Sequence, residues 1–432
     1  MKKTIKELKT FLILWSTQSL SQLGSAMTGF ALTLWLYEKT GSALQTALLA
    51  VCSYAPYVVM SIFAGALSDR WDKKKVMLVC DTLAACSTVV VLFLLKADLL
   101  RPVHMYLLNA VNGLMNTVQQ PASDVAMTMI MPKKHYQKTS GMRSFSGSLV
   151  TILNPILATA LFAFGGMDIV IYVDLATFLI AFFALLFGVK LPVMEEEGKE
   201  DKESFSDSVK AGLVCLREHE LALILILFLA GVNFVASAFD AVLPALILPR
   251  AIGGEAVLGI VTSCAGIAML VGSLVVTVLP APKNRIRVIY LTMLFSLGTE
   301  NFLLAFTEQP VLWCVGQIIG WVLVPLMNAN LDVIVRTTIP VEMQGRVYSC
   351  RNTLQFFTIP IGLSVGGFMV DKICEPLMAS VPADSALSFL FGRGKGSGAS
   401  MMMFILGVLG VVVCLGFGRV LQRYRYTEES ET

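Results

Sequence analysis

In this 432-residue sequence, the residues best placed to do chemistry are carboxylates set inside long apolar segments: Asp81, Asp174, Asp240, Glu300 and Asp332. A charge in hydrocarbon is costly, so an ionisable residue at such a place is a functional candidate by default. Depth separates the five. At about 1.5 Å of rise per residue, Asp81 and Asp332 fall within about two turns of the end assigned below to the cytoplasm, whereas Asp174, Asp240 and Glu300 fall in the outer half. Asp81 and Asp174 each begin an otherwise apolar helix, where a hydrogen bond to a neighbour suffices, and they are read as structural. Asp240 and Glu300 are the candidates to load a proton outside and release it inside. Asp240 stands slightly ahead, because Pro244 frees backbone groups and loosens its helix.

Amides populate the middle of the segments. Gln18 and Gln22 are four apart and share a helical face. Asn112, Asn116, Gln119 and Gln120 cluster in one segment, and Asn154, Asn233, Asn328, Asn330 and Gln355 sit at middle depth elsewhere. Each could serve as helix glue, with interhelical amide bonds contributing about 0.6 to 2 kcal/mol. Gathered around a cavity, they suit a bulky, uncharged or weakly cationic amphiphile, with Gln18, Gln22, Asn112, Asn116, Asn154, Asn233, Asn328 and Gln355 as lining candidates. The 21 Met and 25 Phe offer an adaptable apolar wall beside them. A small anion would call for central Arg or Lys.

A third cluster, Gly65 to Lys75, reads GALSDRWDKKK between two apolar segments. It is either a solvated turn whose charge sets orientation or a gate.

These residues are carried by membrane helices. Only 15% of the chain is charged, against about 25% in soluble domains. Segments long enough to cross a bilayer, which takes about 20 apolar residues, recur at about 11–37, 42–68, 74–96, 103–131, 141–164 and 169–190, then at about 221–248, 255–280, 286–306, 310–335, 344–370 and 399–420. The expected fold is an all-α integral membrane protein of twelve transmembrane helices in two pseudo-symmetric bundles. Residues 1–190 form the amino-terminal six-helix bundle, 191–218 a charged cytoplasmic linker, and 219–432 the carboxy-terminal six-helix bundle. The opening MKKTIKELKT lacks a small-residue cleavage site before its long apolar run and is read as leading into a retained first helix. With the amino terminus inside, only Lys39, Lys96, Arg101, Arg250, Lys372, Arg393 and Lys395 of the 33 basic residues fall on outer connections. That bias predicts both termini cytoplasmic, in a plasma (bacterial inner) membrane. A faint repeat displaced by 208 residues relates Pro132, Lys138 and Arg143 to Pro340, Arg346 and Arg351. Duplicated halves are how many transporters are built.

Twelve spans in two halves, with G-x-L-S-D-R-x-x-K-K at Gly65, Asp69, Arg70, Lys73 and Lys74, resemble the major facilitator superfamily. Three stretches are similar to its macrolide-efflux and enterobactin-exporter-like branch: Gln18 to Gly24 with Thr40-Gly41-Ser42; Gln344-Gly345-Arg346-Val347; and Glu375 to Met378 followed by Gly392, Gly394, Gly396 and Gly398. Asn154, before Pro155, departs from the glycine of the glycine-proline motif in the superfamily's drug antiporters. The resemblance implies secondary transport by alternating access, with the 65–75 hinge closing the cytoplasmic side. Asp69 would then cap the start of span eleven, and Asp124 would pair with Lys73 in a weak, breakable latch.

The remaining expectations are simpler. The nine cysteines contain no C-x-x-C and read as small buried hydrophobes. Three unpaired histidines near span ends make a metal or histidine-based catalytic site unexpected, and no G-x-x-x-x-G-K-[ST] loop signals ATP. No cofactor, metal or nucleic acid is expected. The expected partners are a small-molecule substrate, protons and the bilayer, the chain acting as a monomer. The reading is a proton-coupled exporter of a drug-like, macrolide-like or siderophore-like amphiphile and not an enzyme. Uptake, lipid translocation and a non-transporting receptor or scaffold are the alternatives. The series Gly392 to Gly398 is read as a flexible entry to span twelve.

Overall fold

Among the described residues, each long apolar segment read from the sequence is built on helix in the computed structural model. It describes residues 8–70, 72–130, 136–189 and 205–424, and the side chains of 61–70, 136–138, 140, 141, 144, 205–209, 336, 341, 342, 344–346, 348 and 349 lie outside that description. The helices are α1 (Lys9–Thr40), α2 (Ala43–Arg70), α3 (Lys73–Lys96), α4 (Pro102–Met129), α5 (Tyr136–Phe183), α6 (Phe205–Glu218), α7 (Glu220–Ile247) and α8 (Glu255–Val278). They continue as α9 (Arg285–Phe306), α10 (Pro310–Val322), α11 (Val324–Thr338), α12 (Val341–Phe356), α13 (Thr358–Met369), α14 (Glu375–Ser380), α15 (Ala386–Phe391) and α16 (Ser397–Leu421). No strand occurs among the described residues.

Starts and breaks follow local chemistry. Asp72 Oδ1 accepts from the Lys75 N–H and Asn284 Oδ1 from the Arg287 N–H, each at 2.9 Å, satisfying orphan donors at the starts of α3 and α9. Pro102 and Pro310 open α4 and α10, where a missing N–H does no harm. α5 is two spans joined at a kink, with Gly166 at φ +68°, open to glycine but strained for other residues. Pro325 and Pro360 fall at the breaks between α10 and α11 and between α12 and α13.

Nine helical segments among the described residues are long and apolar enough to cross a membrane. One of them, Phe145–Gly188, contains the kink and accounts for two crossings. α1 and α4 have the length but are too polar to be among the nine. With these two added, each of the twelve expected crossings has a place.

The chain divides into two compact units. The first holds residues 1–39 and 52–202. Its core joins Phe11 and Leu14 of α1 to Met77 and Cys80 of α3, and to Val118, Ala122 and Ala126 of α4. The second holds residues 40–51 and 203–432. There α13 lies directly on α7 because Gly362 and Gly366 leave no side chain between it and Phe234, Ser237 and Ala238. The start of α2 belongs to this unit, with Ala47 packed on Ala241 and Leu363.

Two expectations need amendment. Part of the charged stretch expected as linker, residues 205–218, is helix α6, which buries Gly212, Cys215 and Leu216. Their spacing puts them on one face, an apolar stripe hidden by the surrounding charges. The glycine series before α16 is not a loose entry. Gly392, Gly394 and Gly396 all take positive φ. The Gly396 N–H donates to Glu375 Oε1 at 2.9 Å, and its carbonyl accepts from Arg250 Nη2 at 3.2 Å. Arg250 also donates to Ser400 Oγ at 2.5 Å and pairs with Glu308, so the loop is tied at both faces.

Candidate functional site

The helices too polar to count as apolar spans, α1 and α4, share a wall of one cavity. It lies within the first unit and encloses about 770 Å³. α1 contributes Gln18, Gln22 and a run of serines, α4 contributes Asn116, Gln119 and Gln120, and α3 adds Asp81. The serine and glutamine pattern of α1 recurs every third or fourth residue, so one face lines the cavity while Phe11 and Leu14 build the core.

Asp81 is the hub of this wall. Its Oδ2 accepts from Gln18 Nε2 at 3.2 Å and its Oδ1 from Gln119 Nε2 at 2.5 Å, tying α1, α3 and α4 together. The structural role expected for it is present, but it also faces the cavity, which its position at the start of an apolar helix did not reveal. Asp174 is a structural carboxylate. It accepts from Ser25 Oγ at 3.1 Å, Thr28 Oγ1 at 2.9 Å and Thr88 Oγ1 at 3.5 Å, and is buried.

Of the amides expected to line a cavity, Gln18, Gln22 and Asn116 do so here. Asn112 and Asn154 lie off this wall, each with a buried Oδ1 that has no hydrogen-bond partner. In the second unit, Asn233 Nδ2 donates to the Gln355 carbonyl at 3.1 Å, Gln355 Oε1 accepts from Arg351 Nε at 3.2 Å, and Asn328 is exposed. Asp240 on α7 has an accessible side chain and acts on Glu300 of α9 as a like-charged neighbour. Glu300 is buried, hydrogen-bonded to Trp321, with Oε1 unpartnered, and its carboxyl occupies the space a side chain on Gly320 would need.

The hinge residues divide. The side chains of Gly65, Asp69 and Arg70 lie outside the described residues. Lys73 is buried at the start of α3. Lys74 Nζ donates to the carbonyls of Leu186 at 3.0 Å and Val189 at 2.6 Å, a cation set on the unsatisfied end of the sixth span. The acid expected opposite Lys73 is held by an arginine. Asp124 pairs with Arg143 at the start of α5, which reaches it at the cavity edge.

That pair recurs. Arg351 Nη1 donates to Asp332 Oδ1 at 3.2 Å, and both pairs span 19 residues. Asp124 and Asp332 are 208 residues apart, as are Arg143 and Arg351, so the displacement noted for the arginines applies to their partners. The repeat itself could have identified the pairing, had each arginine been matched to an acid at the same displacement.

A sequence profile described as Major Facilitator Superfamily matches residues 14–363. The chain is 24% identical over 367 residues to macrolide efflux protein A of Streptococcus pyogenes, covering 84% of this chain and 90% of that protein. It is 23% identical over 359 residues to multidrug efflux pump Tap of Mycolicibacterium fortuitum, covering 81% and 86%. Among solved structures, a bacterial homolog of the human lysosomal transporter Spinster superposes with a TM-score of 0.70 at 13% identity, over 98% of this chain and 99% of that one.

Proposed function

The chain belongs to the major facilitator superfamily, and from that premise we propose that it exports an amphiphilic small molecule across the plasma membrane by alternating access, in exchange for protons. The observation that carries this reading is the cavity of the first unit, whose amides and hydroxyls can hold a polar head while Trp15 and Met127 offer apolar contact. Its size is within the range typical of small-molecule sites. The relatives named for macrolide and multidrug efflux support the outward direction.

In this reading both termini are cytoplasmic, residues 1–190 and 219–432 act as the two bundles, and the chain works as a monomer. Gly65, Asp69, Arg70, Lys73, Lys74 and Asp124 form the cytoplasmic gate. Asp240 and Glu300 carry the coupling proton, since a buried carboxyl with an unpartnered oxygen and an accessible neighbour offers two sites between which a proton can pass. Purified protein in vesicles, given a macrolide such as erythromycin and an imposed pH gradient, tests this. Gradient-driven accumulation is expected. Movement indifferent to the gradient removes the coupling, and no movement removes the exporter.

A further inference from the structure

The cavity's charges do not balance. Among the described residues, Asp81, Asp124 and Arg143 are the ionisable ones lining it, and Arg143 answers Asp124. No cationic side chain pairs with Asp81 among the described residues, and both its hydrogen bonds come from neutral amides. We propose that Asp81, with Gln18 and Gln119, forms a binding site for a protonated amine, so that the transported amphiphile is a cation held by its ammonium group at this point of the first-unit cavity.

Hydrogen-bond chemistry specifies the preference. A carboxylate only accepts, so each glutamine must turn its NH₂ toward Asp81. Each carbonyl Oε1 is then left for a ligand, and the three side chains together present acceptors. An ammonium group donates and carries the charge that Asp81 lacks, whereas an anion would meet repulsion. A carboxylate removed from water without a counter-charge is costly, and an arriving cation relieves that cost. Gln18 from α1 and Gln119 from α4, each bonded to a different carboxylate oxygen, hold Asp81 in place before the ligand arrives, so little ordering remains for binding to do. The rim pair is already neutral and adds little discrimination.

This inference rests on the reading that the cavity takes an amphiphile, and the test separates the two. Binding of propranolol, a protonated aryl-alkyl amine, and of N-acetylpropranolol, the same skeleton without the charge, is measured calorimetrically on the purified full-length protein. The amine is expected to bind on the order of tenfold tighter, the worth of one charge-assisted hydrogen bond. Asp81→Asn should abolish that ratio while leaving N-acetylpropranolol affinity within about twofold, which also reports an intact fold. Asp168→Asn, at an ion pair with Lys96 away from the cavity lining, should leave the ratio in place. Equal binding of both probes to the unmodified protein, or a ratio that survives Asp81→Asn, overturns the amine site and leaves the amphiphile reading standing. Binding of neither probe overturns both.

Discussion

Exchanging the two charges of the Asp332–Arg351 pair is a perturbation whose size follows from its geometry. The guanidinium is 13% exposed and the carboxylate 45%, at 3.2 Å. Wet ion pairs contribute about 0 to 1 kcal/mol. The dry side of this one, with Arg351 Nε also donating to Gln355, places it near the upper limit. In a latch that holds one state closed, a change of about 1 kcal/mol moves the open–closed equilibrium about fivefold. Arg351→Glu should therefore slow initial erythromycin transport in vesicles by about fivefold or more, since it also sets two like charges face to face. Asp332→Arg combined with Arg351→Glu should recover the rate to within about twofold. The same cycle on Asp124 and Arg143, which are 43% and 34% exposed, should have a smaller effect. An exchange no better than the single reversals, or harmless single reversals, would refute a latch based on charge.

Two further outcomes follow from single contacts. Asp371 accepts from the N–H groups of Ala43 and Leu44 at 2.9 and 3.0 Å and from the Ser42 hydroxyl, closing the start of α2. Asp371→Ala leaves those donors bare beside a fully buried Ala43, at about 1 to 3 kcal/mol each, and should lower the melting temperature in detergent; an unchanged melting curve would count against the clamp. Gly320→Ala would drive a methyl group into the Glu300 carboxyl, so gradient-driven transport should fall while substrate exchange without a gradient persists. Wild-type gradient-driven transport in that variant would remove Glu300 from the coupling path.

Most spans are legible from apolar length, α1 and α4 only as long runs nearly free of charge, and the kink at Gly165 and Gly166 falls between the two spans expected there. The cavity was half legible. The i, i+4 spacing of Gln18 and Gln22 predicted a shared face, but the partners on α3 and α4 are set by tertiary packing. Asp81 was therefore read as structural, since nothing local shows that an aspartate near a helix start will meet two glutamines from other helices. The Asp124–Arg143 pair is legible only through the 208-residue repeat, since position along the chain does not show which basic residue the fold brings to the acid. The glycine series looked loose by composition, and Glu375 and Arg250, distant in sequence, are what fix it.

The central claim is that substrate binds among α1, α3 and α4 of the first unit. A photoactivatable macrolide carried by the purified protein in vesicles, irradiated and mapped by peptide mass spectrometry, tests it directly. Labels are expected within residues 15–26, 81–84 and 116–127, and their loss on competition with unlabelled macrolide. Competable labels confined to residues 203–432, with none on those three stretches, would contradict it.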